Sequence, residues 1–533
     1  MILIKDVNKA LIDKKLFEIE KLYINENDKI ALIGENGSGK TSLFRMILGL
    51  DSEYQGTIRS EKSIDYLLND FESDERYFSH EIYSKAKLNS FEKYSPGEYQ
   101  RLKLTELLAD KSIFVLMDEP TSHLDIKQKE ELVDILNNRS TGYFLISHDR
   151  DFINRTCNKI LEISNGKVEE YNGNYTFYLE EKEKRKKFHE REYKNFIREK
   201  KRLENVAQKI KEQSLSIKTT PKRMGNSEAR LHKMGGQGNK KKLDKQVNAT
   251  LSRLNQLEKK EKPKEETEIK LTVPDNKKIQ SKVLIKAEKL SKKFKNKILF
   301  ENTDFIIENN AKIALLGDNG SGKTTLLKII LNKEDIWVHP NIKIGYFSQM
   351  NDNLICGKSI SENIINTSIY DETLTRIILA RLGFSAQDCL KTIEILSDGE
   401  RAKVKLAKII TSDFNYLIMD EPTNFLDINT IESLEKLLKS YDRPIIFVSH
   451  DEEFINNIAD KLLIIKNKKI ELFNGNLKQY KNKKSNISKN NMDKVLIDFR
   501  LSTINSRMTM DISKEERAKL EEEYKELLMQ KNN

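Results

Sequence analysis

Four short segments of this 533-residue chain occur twice in the same order, and this duplication constrains the fold more than any other feature. Residues 29–49 read KIALIGENGSGKTSLFRMILG and return at 312–331 as KIALLGDNGSGKTTLLKIIL. Residues 114–125 read FVLMDEPTSHLD and return at 416–427 as YLIMDEPTNFLD, and FLISHDRDFI at 144–153 returns at 446–455 as IFVSHDEEFI. Near the end of each copy YNGNYTFY is echoed by FNGNLKQY. The pattern predicts two copies of one domain, at 1–180 and 282–481.

Each copy carries a loop typical of phosphate binding. Residues 34–41 fit the pattern GxxxxGK[ST] between a short apolar strand and a helical segment, and residues 317–324 repeat it. In such a loop glycines turn backbone amides toward phosphates, the lysine reaches the β- and γ-phosphates, and the hydroxyl ligates Mg²⁺. We therefore predict that ATP and Mg²⁺ bind at both loops. The predicted ATP-binding residues are Gly34, Asn36, Gly37, Gly39, Lys40, Thr41, Ser42, Gly317, Asn319, Gly320, Gly322, Lys323, Thr324 and Thr325.

In each copy one apolar strand ends in Asp-Glu and another ends in Ser-His-Asp. The Asp of the first pair is expected to hold the magnesium ion together with the loop threonine, as a strand-end acid does in phosphate-loop enzymes. The Glu is placed to polarise an attacking water, and the His to contact the γ-phosphate or orient that water. The predicted metal residues are Thr41, Asp118, Thr324 and Asp420. The predicted catalytic residues are Glu119, Glu421, His148 and His450.

Between the loop and the acidic pair, each copy has a segment that resembles the signature motif of ABC ATPases: YSPGEYQRLKL at 94–104 and LSDGERAKVKL at 396–406. The resemblance implies an α/β fold in which two tandem nucleotide-binding domains sandwich two ATP molecules head to tail. Each signature then completes the site of the other domain. The signature residues implied in ATP binding are Ser95, Gly97, Glu98, Ser397, Gly399 and Glu400.

The two copies differ from the family pattern in ways that predict unequal sites. The resemblance implies that Gln349 contacts the nucleotide and the metal and that Phe294 stacks on adenine in the second copy. The first copy has Asn69 and Leu11 at these positions. We therefore expect the Lys323 site to hold adenine more firmly.

The linker between the copies, 181–281, is predicted to be a helical hairpin. Residues 181–246 contain 22 Lys and Arg against nine Asp and Glu, while the net charge of the whole chain is +11. Phe196, Leu203, Ile210 and Ile217 recur every seventh residue with Val206 beside them, which is typical of a two-helix coiled coil. Leu243, Val247, Leu251 and Leu254 form a second seam, and Pro221 with the glycines at 225, 235, 236 and 238 places a tip at 219–242.

Such a concentration of positive charge indicates a polyanionic partner. A tip rich in Lys, Arg and His is suited to RNA, because phosphates bind cations and His or Arg can stack on unpaired bases. A tip that only turns the chain is the alternative. The predicted RNA-binding residues are Lys218, Lys222, Arg223, Arg230, His232, Lys233, Lys240, Lys241 and Lys242.

The chain combines two such domains with a charged linker, and it has no apolar run long enough to cross a membrane. In this organisation it resembles the ABC-F subfamily of ribosome-acting ATPases. The resemblance implies a cytoplasmic monomer without an obligate protein subunit that binds the 70S ribosome at 23S rRNA and the tRNA sites. Three dispersed cysteines also favour a reducing compartment.

The region between residues 69 and 95 is about 22 residues shorter than its counterpart between 349 and 397, and a helical extension is predicted at 482–533. Both resemble the antibiotic-resistance branch, which implies protection against lincosamides, pleuromutilins and streptogramin A by a hairpin inserted near the peptidyl-transferase centre. A housekeeping translation factor is the near alternative. A transporter ATPase subunit and a DNA-repair ATPase are the alternatives from other classes.

Overall fold

The fold is described from a computed structural model. It describes residues 2–11, 14–61, 63–68, 86, 96–110, 113–122, 124–217, 237–257, 279–294, 297–348, 354–424 and 426–483. The structure does not describe some of the residues singled out above: Asn69, Ser95, Gln349, Lys218, Pro221, Lys222, Arg223, Arg230, His232, Lys233, the glycines at 225, 235 and 236, and residues 484–533 of the predicted extension. The chain forms two compact units, one of Met1–Asn174 with Ile269–Asn533 and the other of Tyr175–Glu268.

The first nucleotide-binding domain is built on one sheet, in which nine strands fall among the described residues. The strands are β1 (Ile2–Leu11), β2 (Lys14–Ile24), β3 (Lys29–Gly34), β4 (Gln55–Ser60), β5 (Ile64–Leu67), β6 (Phe114–Asp118), β7 (Tyr143–Ile146), β8 (Lys159–Ser164) and β9 (Lys167–Tyr171). The helices are α1 (Lys40–Ile47), α2 (Pro96–Leu107), α3 (Ile126–Asn137) and α4 (Arg150–Thr156). The spatial order of the strands is β4-β1-β2-β9-β8-β3-β7-β6-β5.

The centre of this sheet is parallel and buried on both faces, which is why its strands are almost continuously apolar. β3 pairs in parallel with β7 and β8, and β6 pairs in parallel with β7 and β5. The register places Asp118 opposite Ile146. Because parallel strands end at the same edge of a sheet, the phosphate loop, the Asp-Glu pair and the Ser-His-Asp triplet meet there.

In chain order the hairpin unit comes next, and its helices are α5 (Tyr175–Ser216) and α6 (Gln237–Gln256). The helices pack against each other along a seam. On α5 the seam buries Leu203, Ala207 and Ser214, which are spaced by four and seven residues. The Ser214 hydroxyl donates a hydrogen bond of 2.5 Å to the Asp244 carboxylate on α6.

Three features of the predicted hairpin are wrong in detail. Val206 is 37% exposed and Ala207 takes the seam position, because small side chains let two helices approach closely. On α6 Leu251 is 42% exposed, whereas Thr250 is half-buried on the seam. The predicted tip also extends too far, since α6 already begins at Gln237 and includes Gly238. A single exposed glycine costs a helix only about 1 kcal/mol, which the packed seam that follows outweighs.

The second nucleotide-binding domain repeats the first with two sheets among its described residues, in the orders β11-β10-β13 and β14-β15-β16-β12-β17-β18. The strands are β10 (Val283–Phe294), β11 (Lys297–Glu308), β12 (Lys312–Leu316), β13 (Trp337–Val338), β14 (Ile344–Phe347), β15 (Tyr416–Asp420), β16 (Ile445–Val448), β17 (Lys461–Lys466) and β18 (Lys469–Asn474). The helices are α7 (Lys323–Asn332), α8 (Ile360–Ile365), α9 (Glu372–Arg381), α10 (Asp398–Thr411), α11 (Ile428–Ser440) and α12 (Glu452–Ile458). Again the central strands are parallel and place the repeated motifs at one edge. Among the helices of the described ranges, none is long and apolar enough to cross a membrane.

The seam of the hairpin can be tested by overpacking it. Replacing Ala207 by Leu should weaken the pairing of α5 with α6 by about 1–3 kcal/mol, because the added atoms have no space between the helices. Val206→Leu is the matched control and should change the pairing by less than about 0.5 kcal/mol, since Val206 faces solvent. Hydrogen exchange of the α5 amides in the full-length protein measures both. Equal protection in the two variants would contradict the seam described here.

Candidate functional site

The first phosphate loop connects β3 to α1 and has the shape that a phosphate group requires. Gly34 has a φ of 153°, and a Cβ added there would lie 2.7 Å from the Ile163 carbonyl oxygen. Gly39, with a φ of 99°, precedes α1 and leaves its N-terminal amides without a side-chain cap. The Ser38 hydroxyl is buried and has no hydrogen-bond partner among the described residues. Free amides and an unpaired hydroxyl at a helix N-terminus form an anion site.

Lys40 lies inside this loop. Its side chain is buried, and Nζ donates to the carbonyl oxygens of Gly34 at 2.8 Å and Glu35 at 3.0 Å. Burial lowers the pKa of Lys40, whereas the negative charges of Glu119, Asp427 and Asp118 raise it. The ammonium group is therefore held at the point where a phosphate would enter.

The predicted metal-binding pair and the predicted catalytic pair lie next to the loop. Thr41 Oγ1 donates to Asp118 Oδ2 at 2.9 Å, which brings together the two oxygens predicted to hold Mg²⁺. No group of three or more His, Cys, Asp or Glu side chains placed to bind a metal occurs in the ranges described. One hydroxyl and one carboxylate still fit Mg²⁺, which binds proteins through one or two carboxylates and takes its other ligands from water and phosphate.

Glu119 follows β6 with a left-handed φ of 49°, and its N–H donates to the Ile146 carbonyl at 2.9 Å. This strained turn directs the carboxylate to His148, whose Nε2 lies 3.5 Å from Glu119 Oε1. Desolvation, reinforced by Asp118, raises the pKa of Glu119 to about 8. Burial, with the charge of Lys40, lowers the pKa of His148 to about 3, so the imidazole is neutral. A carboxyl group with a pKa near neutral is suited to general-base catalysis.

The second site repeats this geometry. Lys323 Nζ donates to the Gly317 carbonyl at 2.7 Å, and Thr324 Oγ1 donates to Asp420 Oδ2 at 3.2 Å. Glu421 has a φ of 51°, and its Oε1 lies 3.2 Å from His450 Nε2. Desolvation raises the pKa of Glu421 to about 7. The remaining predicted loop residues lie in the two loops or the first turns of α1 and α7: Asn36, Gly37, Gly39, Ser42, Asn319, Gly320, Gly322 and Thr325.

One hydrogen bond connects each loop to the opposite domain. Asp427 Oδ2 of the second domain accepts from the Asn36 amide at 3.3 Å, and Asp125 Oδ2 of the first accepts from the Asn319 amide at 3.1 Å. Asp427 also accepts from Lys403 Nζ of α10 at 3.0 Å. The charges of Asp427 and Lys403 both act on the pKa of His148 in the first domain. Each site is therefore composite, with groups from both domains.

The signature residues lie at the N-termini of α2 and α10. Ser397 caps α10, where its hydroxyl and the Glu400 carboxylate form a reciprocal capping box. Gly399 follows in the first turn, while Gly97 and Glu98 occupy the first turn of α2. Phe294 ends β10 with 62% of its surface exposed, as a ring available for stacking would be. Their roles in ATP binding stay predictions.

Several functional positions were missed by reasoning from the sequence. Asp125 and Asp427 recur at the same place in both copies, and this repetition was the available signal. Gln100 of α2 donates to the Glu119 carbonyl at 3.0 Å. Gln100 and Lys403 gave no such signal, because the other copy has Ala402 in place of Gln100 and Arg101 in place of Lys403.

Removing both proposed bases tests the catalytic geometry. In Glu119→Gln with Glu421→Gln, ATP hydrolysis should fall by about 10²–10⁴-fold, because an amide cannot accept the proton of the attacking water. ATP binding should be retained, since neither side chain is part of the phosphate loops. Glu20→Gln, at an exposed position, is the control. Steady-state phosphate release and equilibrium nucleotide binding measure the two effects, and unchanged hydrolysis in the double variant would refute the assignment.

Comparisons with known proteins agree with this geometry. A family model described as ABC transporter matches residues 18–82 and 300–424, and a second model with the same description matches residues 161–272. The chain is 30% identical to the ribosome protection protein VmlR of Bacillus subtilis, over 88% of this chain and 88% of that protein. It is 32% identical to the erythromycin resistance ATP-binding protein MsrA of Staphylococcus epidermidis, over 85% of this chain and 95% of that protein. It is 26% identical to the energy-dependent translational throttle protein EttA of Escherichia coli, over 85% of this chain and 90% of that protein.

Solved structures share the fold. A protein named RNase-L inhibitor matches with a TM-score of 0.59 at 15% identity, over 89% of this chain and 91% of that one. An archaeal ribosome recycling factor, solved in complex with a ribosomal stalk protein, matches with a TM-score of 0.57 at 15% identity, over 86% and 87% of the two chains. From its duplicated nucleotide-binding domains and these relatives, we conclude that the chain is an ATPase and belongs to the ABC-F subfamily of ABC ATPases.

Proposed function

We propose that this protein binds the 70S ribosome when ATP closes its two domains, and that it protects the ribosome from large-subunit antibiotics. The hairpin would enter a tRNA site and reach 23S rRNA near the peptidyl-transferase centre. Hydrolysis would open the domains and release the protein. The proposal rests chiefly on one combination: composite ATP sites that require both domains, and a strongly cationic hairpin inserted in the chain between those domains.

The composite sites support ATP-dependent closure. Asp125 and Asp427 each hold an amide of the opposite phosphate loop, so a change at either loop acts on the other domain. Mg²⁺, which ABC domains bind with ATP, would neutralise phosphate charge between the threonine and aspartate oxygens of each site. Glu119 and Glu421 then accept a proton from water, while the imidazole beside each of them orients the reacting groups.

The charge of the hairpin supports an RNA partner. Between residues 181 and 216, helix α5 carries 13 Lys and Arg against seven Glu. At 1.5 Å per residue its 42 residues extend over about 60 Å, which is enough to reach far into a large RNA assembly. At the start of α6 Lys241 and Lys242 are exposed and Lys240 is half-buried. These lysines, with the six predicted RNA-binding residues outside the described ranges, are the proposed phosphate contacts.

The choice of ribosome protection over a housekeeping role draws on the relatives. Two of them, VmlR and MsrA, are named for ribosome protection and erythromycin resistance, and both align over most of their length. The shortened segment 69–95 and the predicted extension 482–533 favour the same branch. The similarity to the translational throttle protein EttA supports a housekeeping translation factor as the second candidate. Lincosamides, pleuromutilins and streptogramin A are the drugs we propose, and the cytoplasm is the proposed location.

The phosphate contacts can be counted by salt dependence. Replacing Lys241 and Lys242 by Ala should weaken ribosome binding and flatten the slope of log affinity against log salt by about 1.4–1.8, because two fewer counterions are released. The matched control replaces Lys466 and Lys468, which are equally exposed but lie on the second nucleotide-binding domain. Sedimentation with ribosomes in ATP at several salt concentrations gives both slopes. Identical slopes for the two variants would contradict an RNA role for the start of α6.

Drug protection separates the two candidate functions. Expression of the wild-type gene should raise the inhibitory concentration of the proposed drugs for a sensitive host. A variant shortened between residues 224 and 235 should lose this protection while still sedimenting with ribosomes, because the cationic helices remain. If the wild-type gene gives no protection against any large-subunit drug but the protein binds ribosomes, the housekeeping function is correct instead.

A further inference from the structure

The two ATP sites differ at one buried position of the domain interface. Lys129, on α3 of the first domain, crosses to the second domain and donates to the backbone carbonyl of His450 at 2.6 Å. The same ammonium group forms an ion pair with Asp149 of its own domain. Only 12% of the Lys129 side chain is exposed, so both interactions are shielded from water. Lys129 thus joins the two Ser-His-Asp segments directly.

The second domain has an apolar residue in place of this lysine. Alignment of Asp125 with Asp427 places Ile431 at the position of Lys129. Ile431 is 2% exposed and belongs to the apolar core of its own domain. The carbonyl of His148 therefore accepts no hydrogen bond from a lysine at the equivalent position of α11. This asymmetry between the sites is independent of the predicted difference in adenine stacking between Leu11 and Phe294.

A salt-bridge cluster next to Lys129 fixes the same two segments. Arg150, which follows Asp149 in the chain, is 4% exposed and forms an ion pair with Glu435 of the second domain. Its guanidinium also lies 3.6 Å from Asp451 and 2.9 Å from Glu453. Since Asp451 is the residue after His450, the interface restrains the carbonyl of that histidine and the residues that follow it.

We propose that Lys129 is a positioning residue for hydrolysis at the Lys323 site: by holding the His450 carbonyl from the opposite domain, it keeps the imidazole beside Glu421 in the closed state. The Lys40 site lacks such a residue at the equivalent position. Closure of the domains is thereby linked to the alignment of His450 with Glu421 at the Lys323 site more tightly than to the alignment of His148 with Glu119 at the Lys40 site. This inference concerns the ATPase activity and does not depend on ribosome binding.

The test uses two single-site enzymes. Glu119→Gln leaves the Lys323 site active, and Glu421→Gln leaves the Lys40 site active. Lys129→Met keeps the length of the side chain and removes its charge and donors. It should lower kcat of the Lys323-site enzyme by about 10-fold or more with a change in KM of less than about threefold, because misplacing a catalytic group by about 1 Å costs up to 10²-fold. In the Lys40-site enzyme kcat should fall less than about threefold.

Two controls separate positioning from a general loss of structure. Lys129→Arg keeps a charged donor and should restore at least a third of the lost activity of the Lys323-site enzyme. Lys127→Met, at an exposed position on the same helix, should leave both enzymes unchanged. If Lys129→Met does not fold, the double variant with Asp149→Asn removes both charges of the buried pair and takes its place. Equal losses in the two single-site enzymes, or no loss in the Lys323-site enzyme, would overturn the proposal.

Discussion

The hydrogen bonds that Asp125 and Asp427 make across the domain interface are the constraint on which the two sites depend. In each Asp one carboxylate oxygen caps the helix that follows it, and the other accepts an amide from the opposite phosphate loop. The cap fixes the side-chain rotamer, so the second oxygen can reach the loop only when the domains are together. Because a charge-assisted hydrogen bond is stronger than a neutral one, both loops are held by the closed arrangement. Neither domain alone therefore contains a complete site.

The charges at the interface determine which domains pair. The first domain contributes Lys129 and Arg150, and the second contributes the acidic side chains Glu435, Asp451 and Glu453. If two copies of the second domain met in the same way, Glu452 would replace Arg150 and face these three acids. Like charges without partners at a mostly buried interface cost several kcal/mol, so the arrangement favours pairing of the two different domains over pairing of two copies of the second. Lys481 adds a further link, since it lies 2.6 Å from Glu452 and 3.2 Å from Glu130 of the first domain.

The sequence predicted the parts of the site that a local pattern determines. A strand, a glycine loop and a helix in succession place Lys40 and Thr41 without knowledge of the rest of the fold, and an acidic pair after a buried strand places Asp118 and Glu119. The tandem α/β fold was also predictable, because the motifs recur in order. Contacts between the domains were not predictable from local pattern. The repeated Asp125 was visible in the sequence but its partner was not, and Lys129 differs between the copies, so it could be recognised only from the structure.

The hairpin shows a second limit. The heptad period of its large apolar residues was correct, but the alternate seam positions hold Ala207, Ser214 and Thr250, which apolarity alone does not identify. Small and polar residues can occupy seam positions because the partner helix lies close to them. The distance between the two helices depends on both sequences and cannot be read from one helix alone. The same reason explains why α6 begins before Gly238, since the stability of a helix end depends on the packing of the turns that follow.

The central claim, that each ATP site is completed by the other domain, is tested most directly by changing Asp427 and following the Lys40 site. Asp427→Ser keeps a helix cap for α11 but removes the oxygen that reaches the Asn36 amide. We expect turnover of the enzyme whose only active base is Glu119 to fall by about 10-fold, which is the size of effect expected when one charge-assisted hydrogen bond is lost. Turnover of the enzyme whose only active base is Glu421 should change little. Loss of turnover confined to the Glu421 enzyme would show that Asp427 serves its own domain, and would contradict the account.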